Sequence, residues 1–336
     1  MNNQTSSLEF PHFPVMLNEI LKISSPSTRQ KFIDCTFGGG GFSKEILKFS
    51  KTNVLAIDRD KKVFLEAKKL EKKYPKRFKF YQLKFSQLES ISIDNVDVVI
   101  FDLGLSSIQL DNFDRGFSFK SNKELNMTMG LNEISALDVI NNLKEPDLKQ
   151  VIKILGDEKE ASKIAKNIIN QRNTKKIENT NELVRIIEQS KKKNNLSKIN
   201  PCTKTFQALR IFVNKEITEL IYGIIKATKK LKPGGKIIII SFHSIEDRIV
   251  KYFFTNFSKN KSRSSRYFPE TNVGDSALFE QYKNKIFRPS NEEINQNNRS
   301  RSAKLRFAVR SNNQFKYPKE YIKKFKKYLD LEAIDV

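Results

Sequence analysis

The sequence predicts an α/β fold, a parallel sheet covered by helices on both faces. Three observations point there. Apolar runs of strand length recur over residues 31–104 and again at 235–243, several of them followed by helical patterns. Four consecutive glycines, Gly38 to Gly41, stand at the first strand-to-helix junction. Acidic residues, Asp58 and Asp102, close the second and fourth runs. Strands that alternate with helices pair in parallel and are buried on both sides, with right-handed crossovers.

In chain order, KFIDCTF (31–37) is the first strand and leads into the glycines and an amphipathic stretch. NVLAIDRD (53–60) is the second and precedes the helical VFLEAKKLEKKY. RFKFYQL (77–83) and VDVVIFDLG (96–104) are the third and fourth. Residues 132–190 carry the 3.6-residue period of helices, as in Ile164, Ile168 and Ile169, then Leu183, Ile186 and Ile187. Pro146 suits a helix start. This predicts an inserted helical subdomain over 114–200, interrupting a domain formed by 1–113 and 201–310, with the polar KKKNNLSKINP (191–201) as its exit. One long helix is expected from Thr203 to Lys230, burying Phe206, Leu209, Val213, Ile217, Leu220 and Ile224. LKPGGK ends it and turns into the fifth strand, GKIIIISFH (235–243). Residues 258–298 read as a polar loop excursion and SAKLRFAV (302–309) as a last strand. Residues 311–336 form a tail with a short amphipathic helix of Ile322, Phe325, Tyr328 and Leu329, expected to pack on its own domain.

The chain has 336 residues and a net charge of +24. Such an excess favours a polyanionic partner, nucleic acid first. An AT-rich coding sequence also raises lysine content, so charge alone does not decide the partner. Two cysteines far apart, Cys35 and Cys202, with only two histidines, speak against a structural zinc site. Reduced thiols of this kind suit a cytoplasmic protein. No apolar run approaches the ~20 residues of a membrane span, and MNNQTSSLEFPHF lacks the regions of a signal peptide.

A glycine-rich turn from strand to helix lets a nucleotide approach the backbone. A P-loop requires G-K-[ST] after the glycines, and the chain reads G-F-S-K. The dinucleotide fingerprint starts with Gly38 and Gly40 but meets Ser43 at its third glycine. That disfavours a pyrophosphate, and with it a nicotinamide-dependent oxidoreductase, and leaves a nucleoside without phosphate. Asp58, at the tip of the second strand, can accept hydrogen bonds from both ribose hydroxyls; capping of the next helix is the plainer alternative. Phe85, just past the third strand, can cover an adenine face, and Asp102 closes the fourth strand. Adenosine, no phosphate, and a cationic centre that a carboxylate favours together describe S-adenosylmethionine.

With these residues in view, the chain resembles the RsmH (MraW) family of 16S ribosomal RNA cytosine-N4 methyltransferases. The matching stretches are HFPVML (12–17), DCTFGGGGFS (34–43), LAIDRD (55–60), DLGLSSIQLD (102–111), RGFSF (115–119), TKTFQALRIFVNKE (203–216), LKPGGKIIIISFHSIEDRIVK (231–251) and RSRSAKLR (299–306). The resemblance implies a class I, Rossmann-like S-adenosylmethionine-dependent methyltransferase with a helical insertion after the fourth strand. It implies methylation of the exocyclic N4 of a decoding-centre cytosine, with small-subunit RNA or the assembling 30S particle as partner. The family's first-loop Gly-Gly-His falls on Gly40, Gly41 and Phe42, so its histidine is a phenylalanine here. The ribose acid falls on Asp58, the residue after the third strand on Phe85, and the fourth-strand acid and glutamine on Asp102 and Gln109. Where the family reads L-D-M-R-M-D after RGFSF, this chain has Leu125-Asn126-Met127-Thr128-Met129-Gly130. Gly39 stands for a first-loop arginine and Asn200 for a histidine. These departures bear on the substrate step more than on the cofactor, and keep open an RNA-binding maturation factor that lacks turnover.

An amino nitrogen conjugated with a cytosine ring is a poor nucleophile. It must be held in line with the methyl group and needs an acceptor for its N–H as charge builds. The D-P-P-Y turn of DNA amino-methylases is absent, and Asp102 to Ser107 takes its place. The candidate catalytic groups are therefore Asp102 and, after the fifth strand, His243. Ser244 and Asp247 have the spacing of a capping box. His12, the other histidine, lies in a matching motif, and a structural role suits a lone histidine. Cytosine-C5 chemistry needs a cysteine nucleophile, and Pro201-Cys202 does not follow the fourth strand. Arg299, Arg301, Lys304 and Arg306 form a dense basic cluster whose alternation along the last strand could aim cations at RNA phosphates; a solvated charged face is the alternative.

Overall fold

The computed structural model describes residues 14–119, 121–191, 200–259 and 277–336. His12 lies outside the described residues, as do 192–199 of the exit loop and 260–276 of the excursion.

The elements follow in order: α1 (Leu17–Ser24), β1 (Lys31–Asp34), α2 (Gly41–Leu47), β2 (Asn53–Asp58), α3 (Phe64–Lys73), β3 (Phe78–Gln82), β4 (Val96–Asp102) and α4 (Ser107–Asp111). Next come α5 (Ala136–Asn142), α6 (Glu145–Leu155), α7 (Ala161–Thr174), α8 (Thr180–Ser190), α9 (Thr203–Asn214) and α10 (Glu216–Lys230). The chain ends with β5 (Leu231–Ser241), α11 (Ser244–Asn256), α12 (Asn291–Gln296), β6 (Lys304–Val309) and α13 (Lys319–Glu332). The strands form one sheet in the order β3-β2-β1-β4-β5-β6. Every pair is parallel except β5 with β6. Strand order therefore reverses between β1 and β4, and such a switch point opens a crevice at the carboxyl ends of the strands.

The alternation of side chains along each strand divides the core in two. Ile33, Val99, Phe101, Ile237 and Ile239 join the apolar faces of α9 and α10 on one side of the sheet. Phe32, Val98, Ile100, Ile238 and Ile240 join α1, α2 and α3 on the other. The continuous Ile237–Ile240 run is explained by this two-sided burial. Helices α5 to α8 lie between β4 and α9 in the chain, and their Val139, Leu148, Ile164 and Leu183 belong to the same apolar cluster as α9 and the sheet.

Two expectations change. The helix predicted from Thr203 to Lys230 is broken at Lys215, which takes φ 49° and separates α9 from α10. Asn214, at the break, ties it to a distant loop while keeping a bond within its own helix, its Nδ2 donating to Arg210 O at 2.8 Å. Its Nδ2 also donates to Met127 O and its Oδ1 accepts from Met129 N, each at 2.8 Å. The predicted apolar face is the buried one: Phe206, Leu209, Val213, Ile217, Leu220 and Ile224 are all buried. LKPGG lies within β5, with a register shift opposite Val96/Val98 that absorbs the turn.

The tail helix α13 buries Tyr321, Phe325, Tyr328 and Leu331, with the Tyr321 ring centroid 4.5 Å from that of Phe253. Glu332 at its end accepts from Ile217 N at 3.1 Å and Thr218 N at 2.7 Å, capping α10 from a distance. Burial pushes its carboxyl from 4.5 up to about 8, against those hydrogen bonds. A carboxyl raised on folding favours the state in which it is protonated. Its contribution to stability is therefore complete below about pH 4.5, falls as pH rises, and is gone above about pH 8. Thermal melts of the wild type should lose more stability across that window than those of Glu332→Gln; parallel curves would show that Glu332 does not titrate there.

Candidate active site

A cleft of about 1390 Å³ opens at the carboxyl ends of β1, β2 and β4. Its first wall is the β1–α2 turn. Gly38 and Gly40 take φ of 50° and 77°, a region that only glycine enters freely. A side chain on Gly40 would place its Cβ 2.8 Å from the Phe37 ring, and one on Gly41 would place it 2.5 Å from Pro14. Only Gly39 faces open space. Gly40 and Gly41 are therefore required by the protein's own packing, and Gly38 by its backbone conformation. Ser43, at the place of the third fingerprint glycine, is fully buried and donates from Oγ to Asp34 Oδ2 at 2.7 Å. That bond closes the turn from within. Phe42 lines the cleft with a buried ring and offers it no side-chain donor.

Asp58 faces this turn from the end of β2. Its Oδ2 accepts from Gly38 N at 2.8 Å and its Oδ1 from Asp60 N at 2.9 Å. Burial pushes its carboxyl up to about 6, opposed by those two backbone donors. Capping of the next turn falls instead to Asp60, whose Oδ1 accepts from Lys62 N at 3.0 Å. Phe85 also lines the cleft, its ring edge-on to Phe101 with centroids 5.3 Å apart. The following residue, Ser86, is held by Glu219, which accepts from both its N and its Oγ at 2.9 Å.

Asp102 closes the floor. Its backbone N donates to Thr36 Oγ1 at 2.7 Å, across the switch point between β4 and β1. Its Oδ1 is buried without a hydrogen-bond partner. Burial, aided by Asp34, Glu246 and Glu293, holds this carboxyl well above the usual carboxylate range. An unpartnered buried acceptor is costly, so this oxygen marks where a ligand group with a donor or a positive charge fits.

Other expected residues are placed differently. Gln109 borders the cleft, yet its Nε2 donates to Asp60 Oδ2 at 3.0 Å and its Oε1 accepts from Ser106 N at 3.0 Å, so both polar ends are engaged. The cap of α11 lies one residue earlier than the sequence suggested. His243 is the cap, with Nδ1 accepting from Glu246 N at 3.4 Å, and Glu246 returns to Phe242 N at 2.8 Å. His243 Nε2 lies 3.1 Å from Glu246 Oε1, near enough for an ion pair when protonated but misaligned for a hydrogen bond. His243 thus turns back onto its own helix, and Phe242 is the residue that lines the cleft. Glu216 joins this pair, the three ligand atoms lying within 4.8 Å of one another. Arg210 already supplies a cation there, with Nε and NH2 donating to the two Glu216 oxygens at 2.7 and 2.8 Å.

The basic cluster is divided. Arg306 is 2% exposed. It donates to Asp247 at 2.7 Å and to Tyr282 and Asn284 at 2.9 Å each, so it braces β6 instead of facing RNA. Lys304 shares Asp247 at 3.2 Å. Arg301 is exposed, and Arg299 reaches the cleft rim, where its NH2 donates to Asp111 at 2.6 Å.

The sequence did not reveal what holds the altered loop 125–130. Arg115 pairs with Asp60 and donates to Thr128 O. Arg59 donates to Gly130 O at 2.8 Å, to Asn214 O at 2.7 Å and to Asn132 Oδ1 at 2.9 Å. The Arg59 carbonyl leaves no room for a side chain on Gly130. Met129 is thereby brought to the cleft wall. The one sequence signal was the Arg-Asp pair directly after Asp58, whose partners lie some 50 to 150 residues further on.

The model of the MraW methylase family matches residues 9–311. Ribosomal RNA small subunit methyltransferase H of Ehrlichia canis is 44% identical over 300 residues, covering 88% of this chain and 98% of that protein. The protein of the same name from Bartonella bacilliformis is 41% identical over 300 residues, covering 89% and 90%. With this match along nearly its whole length, on a Rossmann-like sheet with its cleft at the switch point, the chain belongs to the MraW methylase family, a family of S-adenosylmethionine-dependent methyltransferases.

Proposed function

We propose that the protein methylates the exocyclic N4 of a cytosine in the decoding centre of small-subunit ribosomal RNA. The observation that carries the chemistry is the unpartnered Asp102 Oδ1 on the floor of a cleft whose adjacent wall is Asp58. The relatives' shared name supports RNA of the small subunit as substrate.

The residues present fit S-adenosylmethionine. Asp58 retains a lone pair on each oxygen beyond its backbone bonds, enough for two ribose hydroxyls. Phe85 offers an apolar face for the adenine, and Gly39 leaves the turn open. When bound, the cofactor supplies an electrophilic methyl group on a sulfonium. Asp102 does the remaining work at the nitrogen. Its oxygen accepts the N–H hydrogen bond and, in the carboxylate form, can take the proton that the amine gives up as its N–C bond forms and the methyl–sulfur bond breaks. Leu103, Met129 and Phe242 contribute apolar surface to the same cleft. Neither cysteine competes as a nucleophile: burial pushes Cys202 up to about 11 and Cys35 well above the ordinary thiol value.

The alternative, an RNA-binding maturation factor without turnover, is motivated by the Asn126, Thr128 and Gly130 replacements. Purified protein should transfer labelled methyl groups from S-adenosylmethionine to immature small subunits, and nucleoside digestion should yield N4-methylcytidine. Binding of both partners without transfer would establish the alternative; label on another atom would overturn the N4 assignment.

A further inference from the structure

The turn after α4 presents an aromatic ring that nothing in the reaction so far described uses. Phe113 is 55% exposed and has no ring partner among the described residues. It lies in an open depression of about 540 Å³ with Ile108, Asp111, Asn112 and Asp114. Ile108 and Asp111 also line the cleft described above, so the depression adjoins it. A lone exposed apolar residue is ordinary on a protein surface. Three further features distinguish this one.

Its support is fixed. Gly116 N donates to Phe113 O at 3.3 Å and Arg115 N to Asn112 O at 3.1 Å, while the Arg115 side chain is anchored on buried Asp60. The ring therefore projects from a held turn. Its polar surroundings suit a base edge: the Asn112 amide and the exposed Asp114 carboxylate, which also pairs with Lys123 at 3.1 Å, line the same depression, and such groups bond the amino and ring nitrogens of bases. The Asp111 charge beside it is balanced by Arg299, whose half-exposed guanidinium stands on the boundary with the cleft. An aromatic face with adjacent amide and carboxylate groups, and a cation at its edge, matches an unstacked nucleotide better than a phosphate alone or an apolar peptide.

We propose that Phe113 is a stacking platform for an unpaired nucleobase flanking the target cytosine, held at the mouth while the target enters the cleft. The assignment rests on the RNA substrate proposed above. A target nucleotide must leave its stack to be modified, and single-stranded recognition relies on aromatic faces that take up the displaced bases.

The test uses the full chain, wild type against Phe113→Ala and Phe113→Tyr, with a short single-stranded RNA carrying 2-aminopurine beside its one cytosine. Wild type should quench the 2-aminopurine on binding, and Phe113→Tyr should do the same. Phe113→Ala should bind about tenfold or more weakly and lose the quench, with the S-adenosylmethionine dissociation constant and melting temperature unchanged. Equal affinity and quench in Phe113→Ala and wild type would overturn the platform while leaving the RNA substrate standing. A defect seen only with assembled particles, and not with the free RNA, would assign the ring to a protein contact and likewise overturn it. Wild type that binds neither free RNA nor particles would remove both this proposal and the parent reading.

Discussion

Replacing Asp58 with alanine should raise the dissociation constant for S-adenosylmethionine by roughly 100- to 10,000-fold. Each hydrogen bond to a charged group is worth ~1.5–3 kcal/mol, and two ribose hydroxyls double it. The variant also frees Gly38 N and Asp60 N, so the turn after β1 loses its acceptor. Calorimetric titration of the isolated protein reads this directly, before any RNA is present. The carboxylate with a pKa of about 6 adds a second signature. Only the ionised form accepts from both hydroxyls, so affinity should be full above pH 6 and fall as pH drops through it. Asp58→Asn should flatten that dependence at the low-affinity level. Wild-type affinity in Asp58→Ala would show that the ribose is held elsewhere.

Asp102→Asn should lower kcat by about 100- to 10,000-fold, the range expected when a positioned proton acceptor is removed. The amide preserves side-chain volume and can still accept a hydrogen bond, but it cannot take up the proton of the attacking amine. The fall should therefore appear in kcat far more than in the donor dissociation constant. His243 provides the contrast. Its ring caps α11 and leans on Glu246, so His243→Ala should act through the stability of α11 and its cleft-facing neighbour Phe242. A kcat unchanged by Asp102→Asn would move the acceptor role to a backbone carbonyl at the end of β4.

The two carboxylates are both half-buried at the cleft, yet they differ in one respect that separates their tasks. Asp58 has a backbone donor on each oxygen, which limits its rise and keeps it ionised at neutral pH. Asp102 Oδ1 has none, and three acids add to its burial. Burial alone raises both pKa values, and hydrogen bonding to the charged form separates them.

Much of this protein was written in local pattern. Strand alternation, the Gly38–Gly41 junction, and acids at strand ends each depend on a few adjacent residues, because strand periodicity and turn chemistry are local properties. They determined the sheet, the place of the cleft and the residues Asp58, Phe85 and Asp102 at its edge. What only tertiary structure decided depends on partners distant in the chain. Lys215 breaks a helix at the point where Asn214 bonds Met127 and Met129, far back in the chain. Arg306 is withdrawn from the surface because Asp247 and Tyr282 meet it inside. Gln109 is tied to Asp60, and two of the four glycines, Gly40 and Gly41, leave room for Phe37 and Pro14 within the protein's own fold. A residue's type limits the bonds it can make, and only the folded chain determines which of them remain open to a ligand.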